Sequence, residues 1–129
     1  MTTAAARQVT MILGAVYVLV GILGFVPGVV TATEQPGQGL LLGIFAVNML
    51  HNLAHIVLGA VLVWGARAWD VILVNKGMAV VFALLTVVSV IAPNFESLPQ
   101  NMPDTILHLV TTLVTAYIGF MTPAGDRMT

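Results

Sequence analysis

The fold of this chain is decided by residues 48–66, which read NMLHNLAHIVLGAVLVWGA. The stretch contains no acidic residue, lysine or arginine. It approaches the roughly 20 helical residues that are needed to cross a bilayer core of about 30 Å. The stretch therefore predicts a membrane-spanning helix. Its first half nevertheless holds two asparagines and two histidines, which are costly in an apolar environment unless they have partners or a function.

The composition of the whole chain supports this class. The chain has 129 residues, of which 59% are hydrophobic and 7% are charged, and its mean hydropathy is +1.04, far above that of a soluble domain. The formal net charge is −1, and the few charges form no basic patch, so we expect no nucleic-acid partner. Because the chain has no cysteine, a metal would need histidine, carboxylate or amide ligands.

Four segments have the length and composition of membrane-spanning helices: residues 9–26, 49–66, 71–92 and 103–121. The connections between them are rich in proline, glycine and polar residues, as expected of loops. These features predict an all-α fold, a four-helix membrane bundle in a single domain over residues 1–129. The alternative for the first segment is a signal peptide cleaved near residues 30–32, but the segment is long and glycine-rich for such a peptide.

The basic residues predict the orientation of the bundle. They flank the same ends of the four segments: Arg7, Arg67, Lys76 and Arg127. The other two loops contain Glu34 and Glu96 and no basic residue. By the positive-inside rule, both termini and the middle loop are expected in the cytoplasm.

The two halves of the chain resemble each other. NMLHNLAH at residues 48–55 aligns without a gap with NMPDTILH at residues 101–108, and Pro27 and Pro93 follow the preceding helices in the same way. The alignment pairs Asn48 with Asn101, Met49 with Met102, His51 with Asp104 and His55 with His108. We therefore expect two duplicated helix pairs, related by a pseudo-two-fold axis along the membrane normal.

The aligned asparagines predict the depth of the polar residues. An asparagine at the start of each stretch suits a helix N-cap, and Pro103 suits a first helical turn. The second histidine of each half then lies about 8 to 10 Å inside the helix end, so the polar residues are expected near the outer face. The apolar residues 39–47 in the first outer loop are expected to form a short helix or a hairpin on that surface.

The spacing of these side chains predicts one shared site. Residues four apart lie on the same helical face, so each half presents one polar edge, and the two edges should face each other. The expected site residues are His51, His55, Asp104 and His108. Support is expected from polar or small neighbours: Asn48, Asn52, Gly59 and Asn101. Gly14, Gly21 and Gly24 on the first helix and Gly59 on the second also suit close helix contacts.

Three hypotheses explain such a cluster. In the first, the side chains only hydrogen-bond across the helices and stabilise the bundle. In the second, the three histidines and Asp104 bind a divalent metal such as Zn²⁺. In the third, His55 and His108 are the axial ligands of haem b. No catalytic constellation is predicted, because no serine or cysteine accompanies a histidine and no carboxylates are paired.

The motifs resemble those of a bacterial membrane family, the domain of unknown function 4383. The similarity lies in GILGFVPG at residues 21–28, LLGIFAVNMLHNLAHIVLGAVL at 41–62 and MPDTILHLV at 102–110. The resemblance implies a multi-pass, four-helix protein of the bacterial inner membrane, with the family pattern on His51, Asn52, His55 and Gly59 and on Asp104 and His108. Thr112 stands where the family pattern has glycine. The resemblance implies no activity.

The sequence thus leaves several functions open. The first is a non-enzymatic scaffold or accessory subunit whose partners are the lipid bilayer and other membrane proteins. The second is a protein that binds a metal or haem b. The third is a small transporter, although no acidic residue lies at the centre of a helix.

Overall fold

The four predicted helices are present in the structure, a computed structural model that describes residues 1–92 and 98–123. They are α1 (Thr3–Leu23), α2 (Met49–Ala68), α3 (Val71–Ile91) and α4 (Met102–Met121). Each is long and apolar enough to cross a membrane. Pro93, Glu96 and Arg127, which entered the predictions of duplication and orientation, lie outside the described residues.

Side-chain caps determine where α2 and α4 begin. The side-chain oxygen of Asn48 accepts a hydrogen bond from the His51 backbone N–H at 2.8 Å. Asn101 accepts one from the Asp104 N–H at 3.4 Å, and the Asp104 carboxylate in turn accepts from the Asn101 N–H at 3.2 Å. Both predicted N-caps are therefore confirmed, and α4 has a complete capping box, which satisfies backbone donors that the helix itself leaves unpaired.

The bounds of α1 differ from the predicted 9–26. The helix begins at Thr3 because the Thr2 hydroxyl oxygen accepts a hydrogen bond from the Ala5 N–H at 3.1 Å. It ends at Leu23 because Gly24 takes the C-cap position. The apolar residues that follow belong to the turn leading into the loop, where hydropathy alone cannot place a helix end.

The loop between α1 and α2 forms a small sheet, which corrects the all-α prediction. Strands β1 (Val30–Ala32), β2 (Gln38–Leu41) and β3 (Phe45–Asn48) pair antiparallel in that order. The positive φ angles of Leu42 (54°) and Gly43 (74°) make the tight turn between β2 and β3. Of the two predicted conformations for residues 39–47, the structure has the hairpin. A short apolar run does not distinguish helix from strand by its periodicity.

The helices pack most closely in two antiparallel pairs, α1 with α2 and α3 with α4. Glycines allow the contact in the first pair. A Cβ atom added to Gly14 would lie 2.7 Å from the Gly59 carbonyl oxygen, and one added to Gly59 would lie 2.6 Å from the Gly14 carbonyl oxygen. The two backbones therefore touch at this crossing, as small residues permit in membrane helices.

The interior of the bundle contains two apolar clusters. One lies in the middle of the helices and comprises Tyr17, Leu62, Val74, Met78 and Phe82. The other comprises Ala6, Val71, Ile72 and Ile118. The outward-facing positions also carry large apolar side chains, among them Ile12, Leu19, Val57, Val90, Leu113 and Phe120. A protein that is apolar outside as well as inside suits a lipid environment.

The two ends of the bundle differ, and we name them by their connections. At the turn end, only Trp69 and Asp70 separate α2 from α3, and the Arg7 guanidinium donates to the Ala66 and Trp69 carbonyls at 2.7 and 3.3 Å. At the sheet end, the Asn101 side-chain amide donates to the Ile44 carbonyl at 2.7 Å. This bond attaches the start of α4 to the hairpin and fixes the segment that borders the site.

Candidate metal-binding site

Three histidines from two helices meet in the interior near the sheet end. On α2, the ring centroids of His51 and His55 are 4.4 Å apart. The ring of His108 on α4 lies 6.2 Å from His51 and 6.1 Å from His55. The exposed fractions of the three side chains are 4%, 1% and 2%. The structure thus brings together three of the four predicted ligands.

The helix caps explain why these rings meet. Asn48 and Asn101 begin α2 and α4 at equivalent positions. His55 and His108 are therefore the same number of residues from their caps, about 10 Å along each helix. Because His51 precedes His55 by one helical turn, it lies on the same face and closer to the sheet end. Local capping and helical periodicity therefore set the depth of the three rings, and the packing of α2 and α4 brings them together.

The ring nitrogens of these histidines converge and have few partners. One nitrogen from each of the three residues can be chosen so that all three lie within 4.8 Å of one another. Within residues 1–92 and 98–123, both nitrogens of His55, both of His108 and Nδ1 of His51 are buried without a hydrogen-bond partner. A buried polar atom left unpaired costs about 1 to 3 kcal/mol, and each neutral imidazole offers one lone pair that a metal ion could bind.

A small cavity adjoins the three rings. Its volume is about 20 Å³, and its walls include the three histidines, Gln100 and the aliphatic side chains Leu58, Leu85 and Leu98. About 10 to 15 Å³ suffices for one water molecule. The cavity therefore has room for a single water-sized guest or one metal ion. The side-chain oxygen of Gln100 is also buried without a hydrogen-bond partner.

Asp104, the fourth predicted ligand, has a different position. Its side chain is fully buried, and one carboxylate oxygen accepts the hydrogen bond from the Asn101 N–H in the capping box. Among the described residues, the group of ligand atoms within 4.8 Å contains the three histidines and does not include Asp104. Asp104 lies in the first turn of α4, as expected. One of its carboxylate oxygens fixes the helix end, and the other, Oδ1, is buried without a hydrogen-bond partner among the described residues.

The expected supporting residues mostly face α1. A Cβ atom added to Gly24 of α1 would collide with the side-chain amide of Asn52, so Asn52 packs against the end of α1. Gly59 of α2 contacts Gly14, which also lies on α1. Both residues hold α2 against α1, and Gly59 lies on the same face of α2 as His51 and His55, two turns and one turn further along the helix. Thr112, at the position of a glycine in the family pattern, donates its hydroxyl hydrogen to the His108 carbonyl at 2.7 Å.

Aromatic rings line the histidines on the side toward the bundle centre. The Tyr17 ring meets His55 edge to face, with centroids 5.4 Å apart, and its hydroxyl hydrogen-bonds Thr111 at 2.8 Å. Phe82 lies 6.1 Å from His108 and 5.0 Å from Tyr17. Sequence reasoning missed Tyr17 and Phe82, because their contacts with the histidines depend on how the helices pair. It also missed Gln100, which lies in the segment just before the cap of α4.

One known protein family matches the chain. The model of the family described as a domain of unknown function, DUF4383, matches residues 7–121. The chain belongs to this family. The match covers all the residues of the histidine site, and it confirms the resemblance found in the sequence. No curated protein and no solved structure matches the chain significantly.

Proposed function

We propose that this protein is a multi-pass membrane protein that binds one divalent transition-metal ion through His51, His55 and His108. The observation that carries the proposal is the set of buried ring nitrogens without hydrogen-bond partners, which lie close enough to share one guest. Metal ions are the guests that buried imidazole lone pairs bind most strongly.

The distances suit a metal after small side-chain rotations. With Zn–N bonds of about 2.0 to 2.1 Å, tetrahedral coordination places two ligand nitrogens about 3.3 Å apart. The three nitrogens here lie within 4.8 Å of one another, so each ring needs to move by about an ångström or less toward the centre. Three imidazoles suit Zn²⁺, and Cu²⁺, Ni²⁺ and Fe²⁺ also bind such ligands.

The competing function is a scaffold or accessory subunit in which the polar cluster only holds the helices together. Such a role depends on hydrogen bonds between helices, as Tyr17 and Thr111 make at 2.8 Å. The nitrogens of His55 and His108 make none. His55 and His108 therefore add no hydrogen bond between the helices, and metal binding explains these two side chains better.

Haem b fits the site less well than a metal ion. The cavity beside His55 and His108 has a volume of about 20 Å³, room for about one water molecule, whereas a porphyrin is many times larger. His51 also lies against both of these rings. A small transporter, the third hypothesis, would need a mobile buried carboxylate, and Asp104 is engaged in the capping box.

We also propose how the protein is oriented in the membrane and that its two helix pairs arose by duplication. Basic residues lie toward the turn end, with Arg7 bonded to the α2–α3 turn, so we infer that this end faces the cytoplasm. The histidine site then lies near the outer face of a bacterial inner membrane. The equivalent caps of α2 and α4 and the pairing of α1 with α2 and of α3 with α4 support an origin by duplication.

Metal analysis of the purified protein tests the proposed function. The protein is produced with a histidine-free affinity tag, stripped with a chelator, reloaded with Zn²⁺ and passed over a desalting column. We expect about one ion per wild-type chain, and little in His55→Ala or His108→Ala. Thr115→Val is the matched control, because Thr115 is buried on α4 but bonds only its own helix backbone. Folded wild-type protein without bound ion would refute the proposal.

A further inference from the structure

The geometry points to Gln100 as the fourth ligand, whose side-chain oxygen closes the coordination of the metal and leaves no position for substrate or water. This inference rests on the proposed function, and it assigns to that site a closed coordination sphere. Three histidines leave one position of a tetrahedral metal open. What fills that position decides whether the ion is accessible to exogenous ligands.

Gln100 is the residue with a suitable donor at the cavity. It lines the same cavity as His51, His55 and His108. Its Oε1 atom is buried and has no hydrogen-bond partner among the residues that the structure describes. A carboxamide oxygen is a neutral metal ligand that needs no deprotonation, so it can serve in an apolar site without adding a buried charge.

The backbone of Gln100 is held in place by its neighbour. Asn101 caps α4, its amide donates to the Ile44 carbonyl at 2.7 Å, and its Oδ1 accepts from the Ala46 N–H at 3.4 Å. The residue before this cap is therefore fixed relative to both α4 and the hairpin. A ligand on such a rigid support keeps its position when the metal binds.

The volume of the cavity argues for direct coordination. About 20 Å³ corresponds to one water-sized guest, and the ion itself takes that space. The other walls of the cavity are aliphatic side chains, Leu58, Leu85 and Leu98 among them, which offer no hydrogen bond to a metal-bound water. A closed sphere of four protein ligands is typical of structural rather than catalytic metal sites.

Substitution with Co²⁺ tests this inference, because the visible spectrum of protein-bound Co²⁺ reports changes in its ligands. We expect the spectrum of the wild-type protein to remain unchanged when azide is added. In Gln100→Ala the open position should admit azide and shift the spectrum. The affinity for Co²⁺ should fall about tenfold or more in this variant, and Gln100→Glu, which keeps an oxygen donor, should recover most of it.

Thr105→Val is the matched control, because Thr105 lies near the same end of α4 and its hydroxyl bonds Ser89 and the Asn101 carbonyl, away from the cavity. An azide-sensitive wild-type spectrum, or unchanged Co²⁺ affinity in folded Gln100→Ala, would overturn the assignment of Gln100 while the three-histidine site stands. Wild-type protein that binds no Co²⁺ would overturn both proposals. Circular dichroism of each variant shows whether the helices are retained.

Discussion

The imidazole rings of His55 on α2 and His108 on α4 lie 6.1 Å apart between centroids, and neither ring has a hydrogen-bond partner for its nitrogens. The two residues occupy equivalent positions after equivalent asparagine caps. Their meeting is therefore a direct consequence of where two helices begin. Substitutions can therefore distinguish the residues that hold the helices in place from those that bind the metal.

Gly59→Ala should destabilise the bundle. The new Cβ atom would lie 2.6 Å from the Gly14 carbonyl oxygen and from the Val18 backbone nitrogen, so α1 and α2 must move apart. Overpacking of this kind costs about 1 to 3 kcal/mol. Thermal unfolding in detergent measures the loss. Gly77→Ala on α3 is the control, since a Cβ atom there meets nothing within 4 Å, and equal melting temperatures for the two variants would contradict the close crossing.

Tyr17→Phe should weaken the bundle without releasing the metal. The variant loses the hydrogen bond of 2.8 Å to Thr111, which in a membrane protein is worth about 0.6 to 2 kcal/mol. It keeps the ring that packs against His55. Chemical unfolding and metal analysis of the same preparation test both parts. Tyr117→Phe on the exposed face should change neither, and loss of metal from Tyr17→Phe would assign the phenol a place among the ligands.

Asp104→Asn and Asp104→Ala distinguish a helix cap from a metal ligand. Asparagine keeps an oxygen that can accept from the Asn101 N–H, whereas alanine removes it and should cost about 1 kcal/mol of stability, as other cap losses do. Metal stoichiometry should stay near one ion per chain in both variants, because the converging ligand atoms among the described residues belong to His51, His55 and His108. An ion lost from both variants would instead restore Asp104 to the ligand set.

Single cysteines test the proposed orientation, because the natural chain has none. A membrane-impermeant maleimide added to intact bacterial cells, with the outer membrane permeabilised, should label Gln35→Cys in the loop of the sheet end. It should not label Ala68→Cys at the turn end until the inner membrane is opened. Both positions are exposed. The opposite labelling pattern would place the histidine site on the cytoplasmic side.

The four helices and the depth of the three histidines could be predicted from the sequence. Long apolar segments are recognised by length and composition alone, and Asn48 and Asn101 set the depth of His51, His55 and His108 through local capping. These inferences depend only on interactions within a few residues. They therefore needed no knowledge of how the helices pack against one another.

The parts that sequence reasoning missed depend on contacts between distant segments. For residues 39–47 the sequence left a helix and a hairpin open, and the hairpin buries Leu41 and Val47, each 1% exposed, on one of its sides. Asp104 stays a predicted ligand, and the structure adds that one of its carboxylate oxygens caps α4. Gln100 carried no sequence signal, because its place beside the cavity follows from the connection between α4 and the hairpin.

X-ray absorption spectroscopy at the edge of the bound metal tests the central claim most directly, since it identifies the ligands themselves. For protein loaded with Zn²⁺ we expect four light-atom ligands at about 2.0 to 2.1 Å, three of them with the multiple-scattering pattern of imidazole. A spectrum with at most one imidazole, or six oxygen ligands at longer distances, would contradict a site built by His51, His55 and His108.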